Sequence, residues 1–173
     1  DSLFVAEADA LQLTFAAEAP SCPDAVDGAL SATAFGGTPP YSFVWNTGPN
    51  FPDLTNIGAG AYSVTLTDSL GCSITETFDL QSPEPLGLQL VRSTDVSCVG
   101  DTNGTLLVTG TGGSVPYQYS WSNGSIGPFI VNLSPGDYTV TVTDFQGCTA
   151  TQTYTVEEPE ALRIELDSLL NPL

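Results

Sequence analysis

Four cysteines, Cys22, Cys72, Cys98 and Cys148, are the most reactive side chains in this sequence, which has 20 acidic residues and no histidine. Arg92 and Arg163 are its only basic residues; lysine is absent. A Ser or Cys nucleophile needs a neighbouring base to take its proton, and His and Lys are both missing. Two carboxylates can run glycoside hydrolysis, but Glu157 and Glu158 adjoin Pro159 in a linker, where solvated charge is the plainer reading. A zinc site would show CxxC spacing or a histidine, and neither occurs. What remains for the cysteines is oxidation to disulfides. Carboxylates also bind calcium through oxygen, so Ca2+ is the one candidate cofactor, although no EF-hand loop is present. The chain is expected to be non-enzymatic and to hold no other cofactor.

Two further residue pairs have alternative readings. Trp45 and Trp121 offer aromatic faces to a sugar, but each sits on an alternating strand whose other members point inward. They are expected to be core residues. Asp68 and Asp144 each precede a turn ending in Gly-Cys and are expected to accept backbone amides of that turn.

Charge narrows the partners. A net charge of −18 argues against nucleic acid, whose phosphates need clustered Lys and Arg. It argues equally against anionic membranes. No apolar run approaches the roughly 18 residues of a membrane span. The chain begins at Asp1 and contains no Met, so it is read as processed or as a window from a longer protein. Two basic residues leave little for trypsin-like proteases, which suits life outside the cell.

An internal repeat organises the chain. Shifting it by 76 residues places Cys22 on Cys98, Gly36-Gly37 on Gly112-Gly113, Pro40-Tyr41 on Pro116-Tyr117 and Trp45 on Trp121. The same shift places Tyr62 on Tyr138, Thr67-Asp68 on Thr143-Asp144 and Gly71-Cys72 on Gly147-Cys148. Of the 51 positions from Cys22 to Cys72, 20 are identical without a gap. Pro83-Glu84-Pro85 and Glu157-Glu158-Pro159-Glu160 read as stiff linkers. The expected layout is an extension over 1–9, modules over 10–84 and 85–159, and a tail over 160–173.

Within each module apolar residues alternate with polar ones, the mark of half-buried strands. Tyr41, Phe43 and Trp45 do so, as do Tyr117, Tyr119 and Trp121, and Tyr138, Val140 and Val142. Turn pairs such as Asn123-Gly124 and Pro135-Gly136 separate the runs. The pattern predicts an all-β fold of two tandem immunoglobulin-like antiparallel β-sandwich modules, each with about seven short strands. Such small cores are marginal. Equivalent pairing in each module gives Cys22–Cys72 and Cys98–Cys148, one intramodule disulfide apiece, each stabilising its module by about 4 kcal/mol. Disulfides place the chain in an oxidising compartment.

The run Gly112-Gly113-Ser114-Val115-Pro116-Tyr117-Gln118-Tyr119-Ser120-Trp121-Ser122-Asn123-Gly124 resembles the hallmark of SprB-type repeats. So does the run from Leu133-Ser134-Pro135-Gly136-Asp137-Tyr138 to Gly147-Cys148. The resemblance covers both modules, with an additional Pro49-Asn50-Phe51-Pro52 stretch in the first. It implies tandem copies within a large secreted surface protein of Bacteroidetes, in a structural or adhesive role, and it carries over no catalytic residue.

The termini suggest how copies meet. Leu162, Ile164 and Leu166 repeat the apolar opening strand of a module (Leu11, Leu13 and Phe15, or Leu88 and Leu90) with no module behind them. Leu3, Phe4 and Val5 precede the first module and lack one of their own. An apolar strand unburied at home can add to a neighbour's sheet edge, as pilus subunits do. Open head-to-tail contacts of this kind make filaments. The expected partners are therefore copies of the chain itself, with surface polysaccharide on loops 47–56 and 122–131 as the alternative. Asp-Ser-Leu triplets mark Ser2, Ser69 and Ser168 as candidate O-glycosylation sites; Asn103, Asn123 and Asn132 match the N-linked pattern.

Overall fold

The computed structural model describes residues 9–163. They form two compact units. One runs to Pro85 and takes in Gln146–Cys148; the other comprises Leu86–Phe145 and continues from Thr149. All regular structure among the described residues is β.

The first unit has six strands: β1 (Gln12–Glu18), β2 (Gly28–Phe35), β3 (Ser42–Trp45), β4 (Asp53–Ile57), β5 (Gly60–Thr67) and β6 (Ser73–Leu80). They pair antiparallel into two three-stranded sheets, β1-β2-β4 and β3-β5-β6. The second unit repeats this with β7 (Gly87–Thr94), β8 (Gly104–Thr111), β9 (Gln118–Trp121), β10 (Phe129–Leu133), β11 (Gly136–Thr143) and β12 (Thr149–Val156). Its sheets are β7-β8-β10 and β9-β11-β12. Each unit is an immunoglobulin-like sandwich of six strands rather than the expected seven. The stretches 46–52 and 122–128 cross from one sheet to the other as loops, and no extra strand forms there.

Alternation explains the cores. In β5, Val64 and Leu66 are buried while their neighbours Thr65 and Thr67 face outward. Leu30, Ala32, Trp45, Leu54 and Val64 form the first core, flanked by Leu13, Phe15, Phe43, Tyr62 and Phe78. Phe15 lies 6.2 Å from Trp45 and 5.3 Å from Phe78, centroid to centroid, with tilted rings, the spacing aromatic pairs favour. In the second core Leu106, Val108, Trp121, Ile130 and Val140 take the corresponding places, joined by Val96, Leu133 and Val156. On the outward faces Thr65 and Thr75 share a hydrogen bond across strands, as do Thr139 with Thr153 and Thr141 with Thr151. Such pairs stabilise a sheet without making its solvent face greasy.

Asn56 and Asn132 occupy the same place in the repeat and both have left-handed backbones, φ 55° and 58°. The register of β4 against β2 shifts at Asn56, and that of β10 against β8 shifts at Asn132. A bulged residue in this conformation tolerates Asn far better than a β-branched side chain.

The strand registers set the ends of each sandwich. Gln12 of β1 pairs with Phe35, and Thr67 pairs with Ser73, so the chain arrives in the first unit at the end holding Gly36, Asp68 and Cys72. Gly60 pairs with Leu80 and Gly28 with Ile57, so β6 departs at the opposite end, where the loop from β1 to β2 holds Cys22. The strands β1 and β6 therefore run in the same direction. The second unit is alike: Gly87 pairs with Thr111 and Thr143 with Thr149 at the end holding Asp144, while Gly104 pairs with Leu133 and Gly136 with Val156 at the end holding Cys98.

This geometry corrects the expected cysteine pairing. The eight residues of β2 separate the two ends by about 23 Å at about 3.3 Å per residue, whereas a disulfide needs Cα atoms within about 7 Å. Cys22 does not bond Cys72, and Cys98 does not bond Cys148. The structure instead joins Cys22 to Cys148, with Cα atoms 5.7 Å apart, and leaves Cys72 and Cys98 as exposed thiols.

Candidate functional site

The residues that could carry chemistry are used, for the most part, to hold loops onto strands. Trp45 and Trp121 are 2% and 5% exposed. Their indole N–H groups donate to the carbonyls of Phe51 (2.8 Å) and Gly127 (3.0 Å), tying each sheet-crossing loop to the strand before it. Neither tryptophan offers a face to a sugar. Tyr62 donates its hydroxyl to the Gly58 carbonyl at 2.8 Å, and Tyr138 to the Ser134 carbonyl at 2.9 Å. This is the tyrosine corner of immunoglobulin-like sandwiches, four residues back at the start of the strand.

At the arrival end of the first unit, Asp68 is nearly buried. Its Oδ1 accepts from the amides of Leu70 (3.0 Å) and Cys72 (2.8 Å), and its Oδ2 from Thr38 (3.1 Å) on the facing loop. Burial alone would raise the carboxyl pKa. The backbone donors, led by Thr38 and Cys72, outweigh it and hold the group below the ordinary carboxylate range. At the second unit Asp144 accepts from the Ser114 amide on the facing loop at 2.9 Å. Gly113 explains its own identity: its φ is +56°, and a Cβ there would lie 2.6 Å from Asp144 Oδ2. The facing loops are joined a second time, Ser69 N–H to the Thr38 carbonyl and Phe145 N–H to the Ser114 carbonyl, both at 2.9 Å.

The departure-end loops are equally alike. Ser21 N–H donates to Asp27 Oδ1 at 2.9 Å, and Ala25 N–H to the Cys22 carbonyl at 3.0 Å. Ser97 N–H donates to Asn103 Oδ1 at 3.0 Å, and Asp101 N–H to the Cys98 carbonyl at 3.0 Å. Hydrogen bonds from the Ser21 side chain and then its backbone lower the pKa of Asp27. Among the described residues no buried side-chain nitrogen or oxygen lacks a partner, and no three His, Cys, Asp or Glu side chains gather as a metal site would require.

Exposed apolar side chains occur on strands, such as Val44, Val91 and Phe129, and in loops. Phe51 is 72% exposed in the sheet-crossing stretch 46–52. In the second unit Tyr117, Tyr119, Ile126 and Pro128 line an open groove of about 470 Å³. The loops 47–56 and 122–131 named from the sequence contain Phe51, Ile126 and Pro128 but not Tyr117 or Tyr119; Pro-Asn-Phe-Pro around Phe51 is the available signal. Ser69 is exposed, and its hydroxyl donates to the Thr38 carbonyl at 3.0 Å. Leu162 is fully exposed. Ser2, Leu3, Phe4, Val5, Ile164, Leu166 and Ser168 lie outside the described residues.

Comparison with known proteins adds the following. The family model described as "SprB repeat" matches residues 14–50 and again residues 91–126. No curated protein matches the chain. Among solved structures, it is similar to a C-terminal 282-residue fragment of intimin, determined in complex with the intimin-binding domain of the translocated intimin receptor. The identity is 13% and the TM-score 0.39, over 87% of this chain and 64% of the fragment. A likeness at that level carries nothing about function. No helix among the described residues is long and apolar enough to cross a membrane.

Proposed function

Since the chain carries two tandem SprB repeats, we propose that it is a non-enzymatic structural segment of a secreted bacterial surface adhesin or filament. One observation carries this reading. The same sandwich is built twice, and in both copies the Asp, Trp and Tyr side chains that could do chemistry are spent on holding loops to strands. Repetition of a self-contained module supports length and presentation rather than turnover.

In the finer reading, copies associate head to tail by strand addition. Leu3, Phe4 and Val5, or Leu162, Ile164 and Leu166, would supply an apolar strand to a neighbour's sheet edge. The exposure of Leu162 supports a role away from its own core. Negative-stain electron microscopy of the full chain and of a chain lacking residues 1–9 tests it. Filaments from the full chain alone are expected. Filaments from both would move the contact to the C-terminal strand or to the sandwich surfaces, and isolated particles from both would refute strand addition.

A second reading is favoured by the exposed loops: recognition of surface polysaccharide through Phe51 and the Tyr117–Ile126 groove, where a ring face stacks on a sugar. Saturable binding on a glycan array, lost in Phe51→Ala or Ile126→Asp with thermal stability unchanged, would establish it.

A further inference from the structure

The two sandwiches differ in character on one pair of matching surfaces, the outer faces of the sheets β1-β2-β4 and β7-β8-β10. Strand register fixes which side chains stand there, because residues paired across strands share a face and successive ones alternate between faces. On the first sheet Ala16, Ser31 and Asp53 form one outward row, and Glu18, Ala29 and Thr55 the next. On the second sheet Arg92, Leu107 and Phe129 take the places of the first row, and Thr94, Thr105 and Val131 those of the next. Leu30 and Leu54, and likewise Leu106 and Ile130, lie between these rows and are buried, so both rows face away from the cores.

One face is small and acidic; the other is bulky, apolar and basic. The first holds an open groove of about 400 Å³ whose lining includes all six of its row residues. Its large apolar side chain, Phe35, stands at the far end of β2, beyond the last pair with β4. The Ser31 hydroxyl donates to the Asp53 carboxylate. On the second face Val91, Phe129 and Val131 are exposed, and Arg92 is one of only two basic residues in the chain.

We propose that the β7-β8-β10 face of one copy docks on the β1-β2-β4 face of a second copy. Sheets stacked face to face with their strands aligned meet in reversed strand order, so β7 lies over β4, β8 over β2 and β10 over β1. Arg92 then meets Asp53, Leu107 covers Ser31, and Phe129 enters the space beside Ala16. Charge and size are complementary at each place, which makes the second copy the occupant. The second face stacked on itself would set large side chains on large ones and leave the groove unfilled. Each face lies within one sandwich, and the strands concerned run from Gln12 to Leu133, so neither terminal segment takes part. Three strands make a narrow face, and such a contact is weak singly but gains when modules repeat in tandem.

The test is a concentration series of the full chain followed by backbone amide NMR, which reports the contact residue by residue and so separates it from strand addition. Salt at about 0.15 M screens the repulsion between copies of net charge −18. Amides of Ala16, Ser31, Asp53, Arg92, Leu107 and Phe129 should shift together as concentration rises. Arg92→Asp and Asp53→Arg should each weaken that association by about tenfold or more, since like charges then face each other, and the double variant should recover it. Asp53→Arg lowers the net negative charge, so overall repulsion alone would change the association in the opposite direction. Leu107→Ser with Phe129→Asp copies into the second sandwich the residues that the first already carries at those places. It should abolish the shifts while circular dichroism shows the fold retained. Absence of concentration-dependent shifts on either face overturns the proposal. So does association that survives Asp53→Arg, the result if the second face paired with itself. Association that survives the Leu107 and Phe129 exchange, or that the double variant fails to recover, overturns it as well.

Discussion

Truncating Leu106 to alanine should destabilise the second sandwich by about 3 kcal/mol and leave the first unchanged. Leu106 is wholly buried on β8, in the cluster of Val108, Trp121, Ile130 and Val140. The substitution removes three carbon groups from that cluster, about 2.4 kcal/mol at about 0.8 kcal/mol per group. The strands on both sides hold the surrounding side chains in place, so a cavity term adds to this, and comparable truncations cost about 2.7–5.0 kcal/mol. For a sandwich of this size the melting temperature should fall by about 12–24 °C, at about 4–8 °C per kcal/mol. Each sandwich has one tryptophan in its core, which makes the assay specific. In a Trp45→Phe background, urea unfolding followed by indole emission reports the second sandwich alone. Leu106→Ala should move that transition, and Leu30→Ala, its counterpart on β2, should not. A loss under about 1 kcal/mol would contradict the burial argument, and an equal shift from Leu30→Ala would contradict separate cores.

Gly113→Ala meets both a left-handed backbone and the Asp144 carboxylate, so it should cost more than the roughly 1 kcal/mol of a φ penalty alone; thermal melts against the parent measure it. Asp68 has a depressed folded pKa, so its contribution to stability is complete above the unfolded value and is lost as pH falls through the folded one. The urea midpoint of the first sandwich should drop from about pH 4 downward, and Asp68→Asn should make that drop shallower. Of the two basic residues, Arg163 lies beyond β12 while Arg92 is paired within β7. Limited digestion followed by intact-mass measurement should show cleavage after Arg163 first, because cutting at Arg92 requires the strand to open.

The fold was legible because its determinants are local and occur twice. Period-two alternation located the strands, and Trp45 and Trp121 were placed in cores by their neighbours on the strand. Asp68 and Asp144 were assigned to their turns by the Gly-Cys that follows. The cysteine pairing was not legible, for a definite reason. Repeat symmetry asks that equivalent cysteines be treated alike, and the observed pairing departs from it: Cys22 and Cys148 are bonded while their equivalents Cys98 and Cys72 are free thiols. Only the strand register, which puts Cys22 and Cys72 at opposite ends of β2, decides against pairing within a module. The expected seventh strand failed because 46–52 and 122–128 are committed to the indole N–H and to turn hydrogen bonds at Gly48 and Gly124. Phe51 is not legible as an exposed aromatic because it stands between prolines, outside the alternating runs that assign Trp45 and Trp121 inward.

The common direction of β1 and β6 governs how a sandwich responds to tension. A pull on the two ends of the first unit draws β1 out at the arrival end and β6 out at the departure end. The force then runs along both terminal strands, and the ladders that hold them, β1 to β2 over seven residue pairs and β5 to β6 over eight, are loaded in shear. Many hydrogen bonds must yield together rather than one after another from a frayed end. The barrier to forced unfolding, which is a rate and not an equilibrium stability, is correspondingly high for a small domain. The second unit repeats the arrangement with β7 and β12, so drag along the chain meets the same resistance in each sandwich.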